Sequence, residues 1–241
     1  MLNRKVVEIG SGRGAYERGQ AISSIDLPDV PVMPETLLLM DLGAREKPVD
    51  LGEMTQVVLS DPGATIQVLR LAGRERAFGE ERATRIEDCI SVLGVLACVE
   101  AVSRRTVSRA KDKPGIVKCW LHAKEIAENC QRLVEEMAAS VNPNDAYLTG
   151  LLHELGALPA ILNWERIPAL SSDPDLVALK LAEEWFLPQC IVDYFSELEN
   201  PRAGNRWIGI VQRAHEMTES SSDGSLVDGN QESRISVLGQ Q

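Results

Sequence analysis

The chain of 241 residues is 44% apolar and 25% charged with a formal net charge of −11, an ordinary globular balance with length enough to bury a substantial core. The acidic excess argues against a nucleic-acid partner, whose phosphates are bound largely through Lys and Arg. Aromatics, at 4%, leave Leu, Val, Ile and Ala to build the core, which favours helices packed on helices.

Residues 1–25 carry Gly10, Gly12, Gly14 and Gly19 among polar residues and read as a flexible arm, with a short extended piece at Val6-Val7. The glycines from Gly10 to Gly14 lack the Lys-Ser/Thr ending of a phosphate-cradling loop. Organised structure is expected from Leu27-Pro28 onward. Pro31 and Pro34 precede a helix from Glu35 to about Ala44, closed by Gly43 and Pro48. Asp50 is the N-cap of Leu51 to Leu59, with Glu53 at the capping-box position. Ser60-Asp61-Pro62 repeats that logic for a helix carrying Ile66, Leu69 and Leu71. Thr84 opens another, in which Ile86, Ile90, Leu93 and Ala97 keep the spacing of a buried stripe.

Lys113-Pro114-Gly115 is the best internal boundary. The charged linker Ala110 to Gly115 reads as a hinge between two helical halves, 26–112 and 115–219. The basic cluster Arg104, Arg105, Arg109, Lys111 and Lys113 reads as a solvated helix end, the alternative being a docking patch for an acidic partner. Beyond it, Ile116, Trp120, Ala123, Ala127, Cys130, Val134, Met137 and Val141 mark an amphipathic helix through about residue 140. Asn142-Pro143 caps the next, with Leu148, Leu151, Leu152 and Leu155. Asp173-Pro174 starts one that runs through Leu176 and Leu179 to Trp185; Leu187-Pro188 breaks it and begins another with Ile191, Val192 and Phe195. A last helix covers Arg206 to Glu219, and residues 220–241, rich in Ser, Gly, Asp and Gln, are expected to be disordered.

The five cysteines, Cys89, Cys98, Cys119, Cys130 and Cys190, form no C-x-x-C pair and read as free thiols packed among apolar residues in a reducing cytoplasm. The N-terminus lacks the apolar stretch of a signal peptide, and no run is long enough to span a bilayer. The three histidines are His122, His153 and His215, each on a predicted helix. His153 shares a helix face with Thr149, Gly150, Gly156 and Ala157. Small residues there admit a close neighbour, and two glycines inside a helix imply a packing or site requirement. His153 and Glu154, being adjacent, point in different directions, so a metal held by them needs ligands from other helices. The plainer alternative is a packed histidine bonded to a backbone carbonyl beside a solvated Glu.

The order of phrases from Leu27 to Glu219 resembles the HDOD family, the HD-related output domains of bacterial signalling proteins. The phrases are Leu27-Pro28 with Val32-Met33-Pro34-Glu35; Leu59-Ser60-Asp61-Pro62 with Val68-Leu69-Arg70-Leu71-Ala72; and Ile86-Glu87-Asp88-Cys89-Ile90 with Leu93-Gly94. Then follow Trp120-Leu121-His122, Leu151-Leu152-His153-Glu154-Leu155-Gly156 in place of a His-Asp-Ile-Gly signature, and Trp185-Phe186-Leu187-Pro188 in place of Trp-Gly-Leu-Pro. The resemblance implies an all-α, multi-helix HD-like bundle with an N-terminal helical subdomain. In catalytic HD phosphohydrolases a first His, a His-Asp pair and a later Asp hold a divalent metal that activates water. His122 and His153 match the first two positions, Glu154 stands at the Asp and His215 falls near the later Asp. A family His-His pair reads Leu198-Glu199 here. The altered set implies vestigial metal positions, no bound cofactor and no catalysis. After Leu71-Ala72 the family usually continues Asn-Ser, and Gly73-Arg74 here implies a looser helix end.

The expected function is therefore a non-catalytic, cytoplasmic signal-transduction module. Its expected partner is a protein such as a response regulator or kinase, not nucleic acid or membrane, and a homo-oligomer is possible. One alternative is a nucleotide or second-messenger sensor using the former cleft, with Arg70, Arg74 and Arg76 as phosphate contacts; their plainer reading is a solvated helix end. The other is a metal-dependent phosphohydrolase with an altered ligand set.

Overall fold

Helices begin where capping side chains stand ready to take the free backbone N–H groups of a first turn. In the computed structural model, Asp50 accepts from Glu53 N at 2.9 Å and Asp61 from Gly63 N at 2.8 Å and Ala64 N at 3.2 Å. Asn142 accepts from Asn144 N at 2.9 Å and Asp173 from Asp175 N at 3.1 Å. The structure describes residues 30–79, 81–103, 114–137, 140–162, 164, 173–202 and 204–228.

Among the described residues the regular elements are all helical. They are α1 (Pro34–Gly43), α2 (Leu51–Leu59), α3 (Pro62–Arg74), α4 (Ile86–Leu93), α5 (Val95–Ser103), α6 (Pro114–Glu136), α7 (Pro143–Leu152), a short 3-10 turn (Leu155–Ala157), α8 (Leu158–Leu162), α9 (Pro174–Glu184), α10 (Gln189–Glu199) and α11 (Arg206–Asp228). Helices α1 to α5 pack on one another, α6 packs along α7 and α11, and α3 meets α6. Met40, Ile66, Leu69 and Ile90 lie at the centre of the first group; Ile126, Leu148, Leu151, Leu181 and Phe195 lie at the centre of the second. Polar ties cross between them among the described residues. Tyr147 donates its hydroxyl to Leu59 O at 3.1 Å, and Arg82 donates to Leu187 O at 2.7 Å.

Several expectations are corrected. The stripe from Ile86 to Ala97 belongs to two helices, because Gly94 takes a φ of 86° and ends α4 in the left-handed region that glycine adopts without steric cost. Helix α6 ends at Glu136, and Met137, assigned to its buried stripe, is 63% exposed. Helix α11 continues to Asp228, past the Glu219 end and into the stretch expected to be disordered. Gly73 does not loosen α3: the turn closes with Glu75 N on Leu71 O at 2.9 Å and Ala77 N on Ala72 O at 3.0 Å. The arm at 1–25, the basic cluster from Arg104 to Lys113, and residues 229–241 lie outside the described residues. No described helix is long and apolar enough to cross a membrane, and all five cysteines are free and buried.

Candidate functional site

His153 sits where α7 ends. It is the C-cap residue of that helix and Glu154 follows in a turn with φ −93° and ψ 18°, so the pair does not occupy a helix interior as the sequence suggested. The turn lies close to α6 because Gly150 has no side chain: a Cβ there would stand 2.7 Å from Ala127 Cα and 3.0 Å from Cys130 Sγ. This close approach accounts for a glycine inside α7, where it is otherwise unfavourable, and it brings His153 beside His122 on α6.

Helix α11 supplies the third ring. Its start is held by Glu197, whose carboxylate accepts from Trp207 N at 2.8 Å and Ile208 N at 3.1 Å. Its middle is held by the buried Asn129 of α6, which donates to Thr218 Oγ1 at 2.9 Å and Ala214 O at 3.3 Å. With the helix pinned at both places, His215 falls between His122 and His153. The ring centroids are 5.4 Å apart for His122 and His153, 5.0 Å for His122 and His215, and 4.9 Å for His153 and His215. One nitrogen from each of the three rings lies within 4.8 Å of the others.

The neighbours settle which atoms are available. His153 Nδ1 lies 2.7 Å from Gly150 O; a carbonyl only accepts, so Nδ1 carries the proton and donates. Nε2 is then a bare lone pair, and it is buried without a hydrogen-bond partner. Glu154 is engaged by other groups. Its Oε2 accepts from the Cys119 thiol at 3.0 Å, and its Oε1 stands 4.0 Å from His122 Nε2. His122 and Glu154 remain about one-third exposed, at 31% and 35%, so the cluster has an open side.

Burial pushes His153 down to about 4, with His215 and His122 adding to the effect against the Gly150 carbonyl and Glu154. His215 is pushed down by burial and by His122. Burial and the Glu154 carboxylate push the Cys119 thiol well above its ordinary range, so it is a proton donor and not a nucleophile. A histidine whose folded pKa is depressed stabilises the fold fully above its unfolded pKa and loses that contribution as pH falls toward the folded value. In metal-free protein, urea unfolding is therefore expected to show a stability loss of about 2 kcal/mol between pH 7 and pH 5. A His153→Gln variant is expected to show a markedly shallower fall, and an equal slope in both proteins would contradict this.

The structure thus brings His122, His153 and His215 together and leaves Glu154 at their edge. The suggested phosphate contacts lie differently: Arg70 stacks on Trp185 at 4.6 Å, while Arg74 pairs with Glu75 at 3.3 Å. Arg74 and Glu75 line a groove of about 500 Å³ with Val92, Ala97 and Glu100. Sequence reasoning missed Cys119 and Asn129 as supports of the cluster. Cys119 precedes His122 by a helical turn, a spacing that places both on one face; a polar Asn129 between the apolar Ile126 and Cys130 was the other available signal.

An all-helical bundle with three histidines and an acid gathered from α6, the end of α7 and α11 defines an HD-like domain. The model of the HDOD domain matches residues 30–170, and the chain belongs to that family. A crystal structure of the MmoQ response regulator from Methylococcus capsulatus str. Bath is similar in fold, with a TM-score of 0.63 at 19% identity over 79% of this chain and 86% of that one. A second structure, of its fragment 20–298, gives 0.61 at 19% identity over 79% and 84%. An HDOD domain protein of unknown function from Geobacter sulfurreducens is more distant, with a TM-score of 0.37 at 20% identity over 81% of this chain and 74% of that one. No curated protein matches the chain.

Proposed function

We propose that the chain is a cytoplasmic signal-transduction module that acts by binding a protein partner, a response regulator or a kinase, and does not hydrolyse phosphoesters. The observation that carries the reading is the outer face of α1. Leu38, Leu39 and Leu42 are exposed at 59%, 50% and 51% within a helix of 10 residues. Grouped exposed leucines are costly in water and are characteristic of surfaces that another protein covers. The family and the likeness in fold to a response regulator support the signalling context. The engagement of Glu154 by Cys119 supports the absence of hydrolysis, since that carboxylate does not join the histidines as a ligand.

The test is capture of purified response regulators and kinases from the source organism by the wild-type chain and by a Leu38→Ser, Leu42→Ser double variant. A specific partner bound by the wild type and weakened at least tenfold in the variant, with helical content unchanged, is the expected outcome. Undiminished capture by the variant, or phosphodiester turnover by protein loaded with Mn²⁺, Fe²⁺ or Zn²⁺, would overturn the proposal.

A further inference from the structure

We propose that His122, His153 and His215 form a binding site for one divalent transition-metal ion, of the zinc or cobalt class, that clips α11 to α6 and to the end of α7. The inference is independent of the signalling reading, and it departs from the expectation of no metal that the altered His-Asp signature suggested. Three arguments lead to it.

The first is chemical. Three neutral imidazoles are a ligand set suited to Zn²⁺ and its neighbours in the transition series, and not to Mg²⁺ or Ca²⁺, which require oxygen donors. The second is the state of His153. Its Nδ1 is committed to the Gly150 carbonyl, the arrangement that orients a metal-bound imidazole and leaves Nε2 as the ligand atom. That Nε2 is buried and unpartnered, an arrangement that costs free energy in an empty site and costs nothing when the lone pair meets a cation.

The third is geometry. One ring nitrogen from each histidine lies within 4.8 Å of the others. Ligands about 2.0–2.1 Å from a tetrahedral ion stand about 3.3 Å apart, so the rings must close inward by up to about 1.5 Å, shared among three side chains. His122 is only partly buried, which leaves a path for the ion and a fourth position for water or an outside donor. Glu154, at 4.0 Å from His122 Nε2, is placed to accept a hydrogen bond from a water at that position or from His122 itself, and it adds a negative charge that offsets the ion. The three ligands come from segments far apart in the chain, so a bound ion cross-links elements that the apolar core and the Asn129 hydrogen bonds otherwise hold.

The experiment uses the full chain purified without a histidine tag, stripped with chelator and returned to chelator-free buffer. Titration with Co²⁺ is expected to saturate at one equivalent with the visible absorption of a four-coordinate ion. Zn²⁺ is expected to displace Co²⁺ and to raise the melting temperature by several degrees. His122→Ala and His215→Ala, at positions partly open to solvent, are expected each to lose at least tenfold in affinity while keeping the wild-type helical content. Failure of the stripped wild type to take up either ion, or uptake that persists unchanged in both single variants, would overturn the site. Neither result bears on capture of a signalling partner through α1, which is read separately.

Discussion

Asp61→Ala is expected to lower the stability of the domain by about 3–5 kcal/mol, the sum of a buried N-cap and an orphaned backbone donor. Asp61 is 1% exposed, and its two carboxylate oxygens do different work. Oδ1 caps α3 through Gly63 N and Ala64 N. Oδ2 accepts from Met33 N at 2.7 Å across 28 positions of sequence, which fastens the segment before α1 to the start of α3. Gln67 reinforces that junction by donating to Val30 O at 3.3 Å. Alanine removes every one of the Asp61 acceptors at once and leaves the part-buried Met33 N–H and the buried Gly63 N–H without these partners. Asp61→Asn keeps one acceptor oxygen and is expected to lose about half as much. Urea unfolding followed by circular dichroism decides the matter; a loss below about 1 kcal/mol in Asp61→Ala would mean that water replaces the carboxylate.

Gly73→Asn, the residue the family resemblance leads one to expect there, is expected to cost about 3 kcal/mol by overpacking, and Phe186→Gly in the same chain is expected to restore most of it. A Cβ on Gly73 would stand 2.7 Å from Phe186 Cβ. Phe186 in turn occupies the glycine position of the Trp-Gly-Leu-Pro phrase with a φ of 54°, a left-handed conformation that costs a bulky residue about 1–2 kcal/mol. The ring is held by Arg82, whose guanidinium lies 4.6 Å above it while donating to Leu187 O at 2.7 Å. The two departures from the family pattern are thus one packing solution: a side chain added at 186 is received by a side chain removed at 73. A double-mutant cycle measured by urea unfolding is expected to give a coupling of about 2 kcal/mol, and additive losses would show the two sites to be independent.

The starts of α2, α3, α7 and α9 were legible in the chain because each depends on a few neighbouring residues. The starts of α5 and α8 were not foreseen, and α4 begins after Arg85 and not at Thr84. Asp50, Asp61, Asn142 and Asp173 all cap the helices they were read to cap, since a short polar side chain before an apolar-periodic run has few better uses. The all-helical class followed from scarce aromatics and repeated three–four spacing, and the family from the order of phrases. The helix ends were less legible: Gly94 broke a continuous stripe, and Met137 was spaced for burial yet lies beyond the end of α6. Periodicity records which face a residue would occupy, and the backbone turn that removes it from that face is a separate event.

What the sequence by itself determined is the fold class, the caps, the free buried cysteines and the identity of the three histidines as the residues to watch. What only the tertiary structure decided is that their rings stand about 5 Å apart with His153 Nε2 bare, and that Glu154 is drawn to Cys119 and stands at their edge. Those facts depend on the close approach of α6 and α7 at Gly150 and on the pinning of α11 by Asn129 and Glu197. Spacing along one helix fixes a face, whereas the distance between side chains on separate helices is set by how closely their backbones pack and in what register.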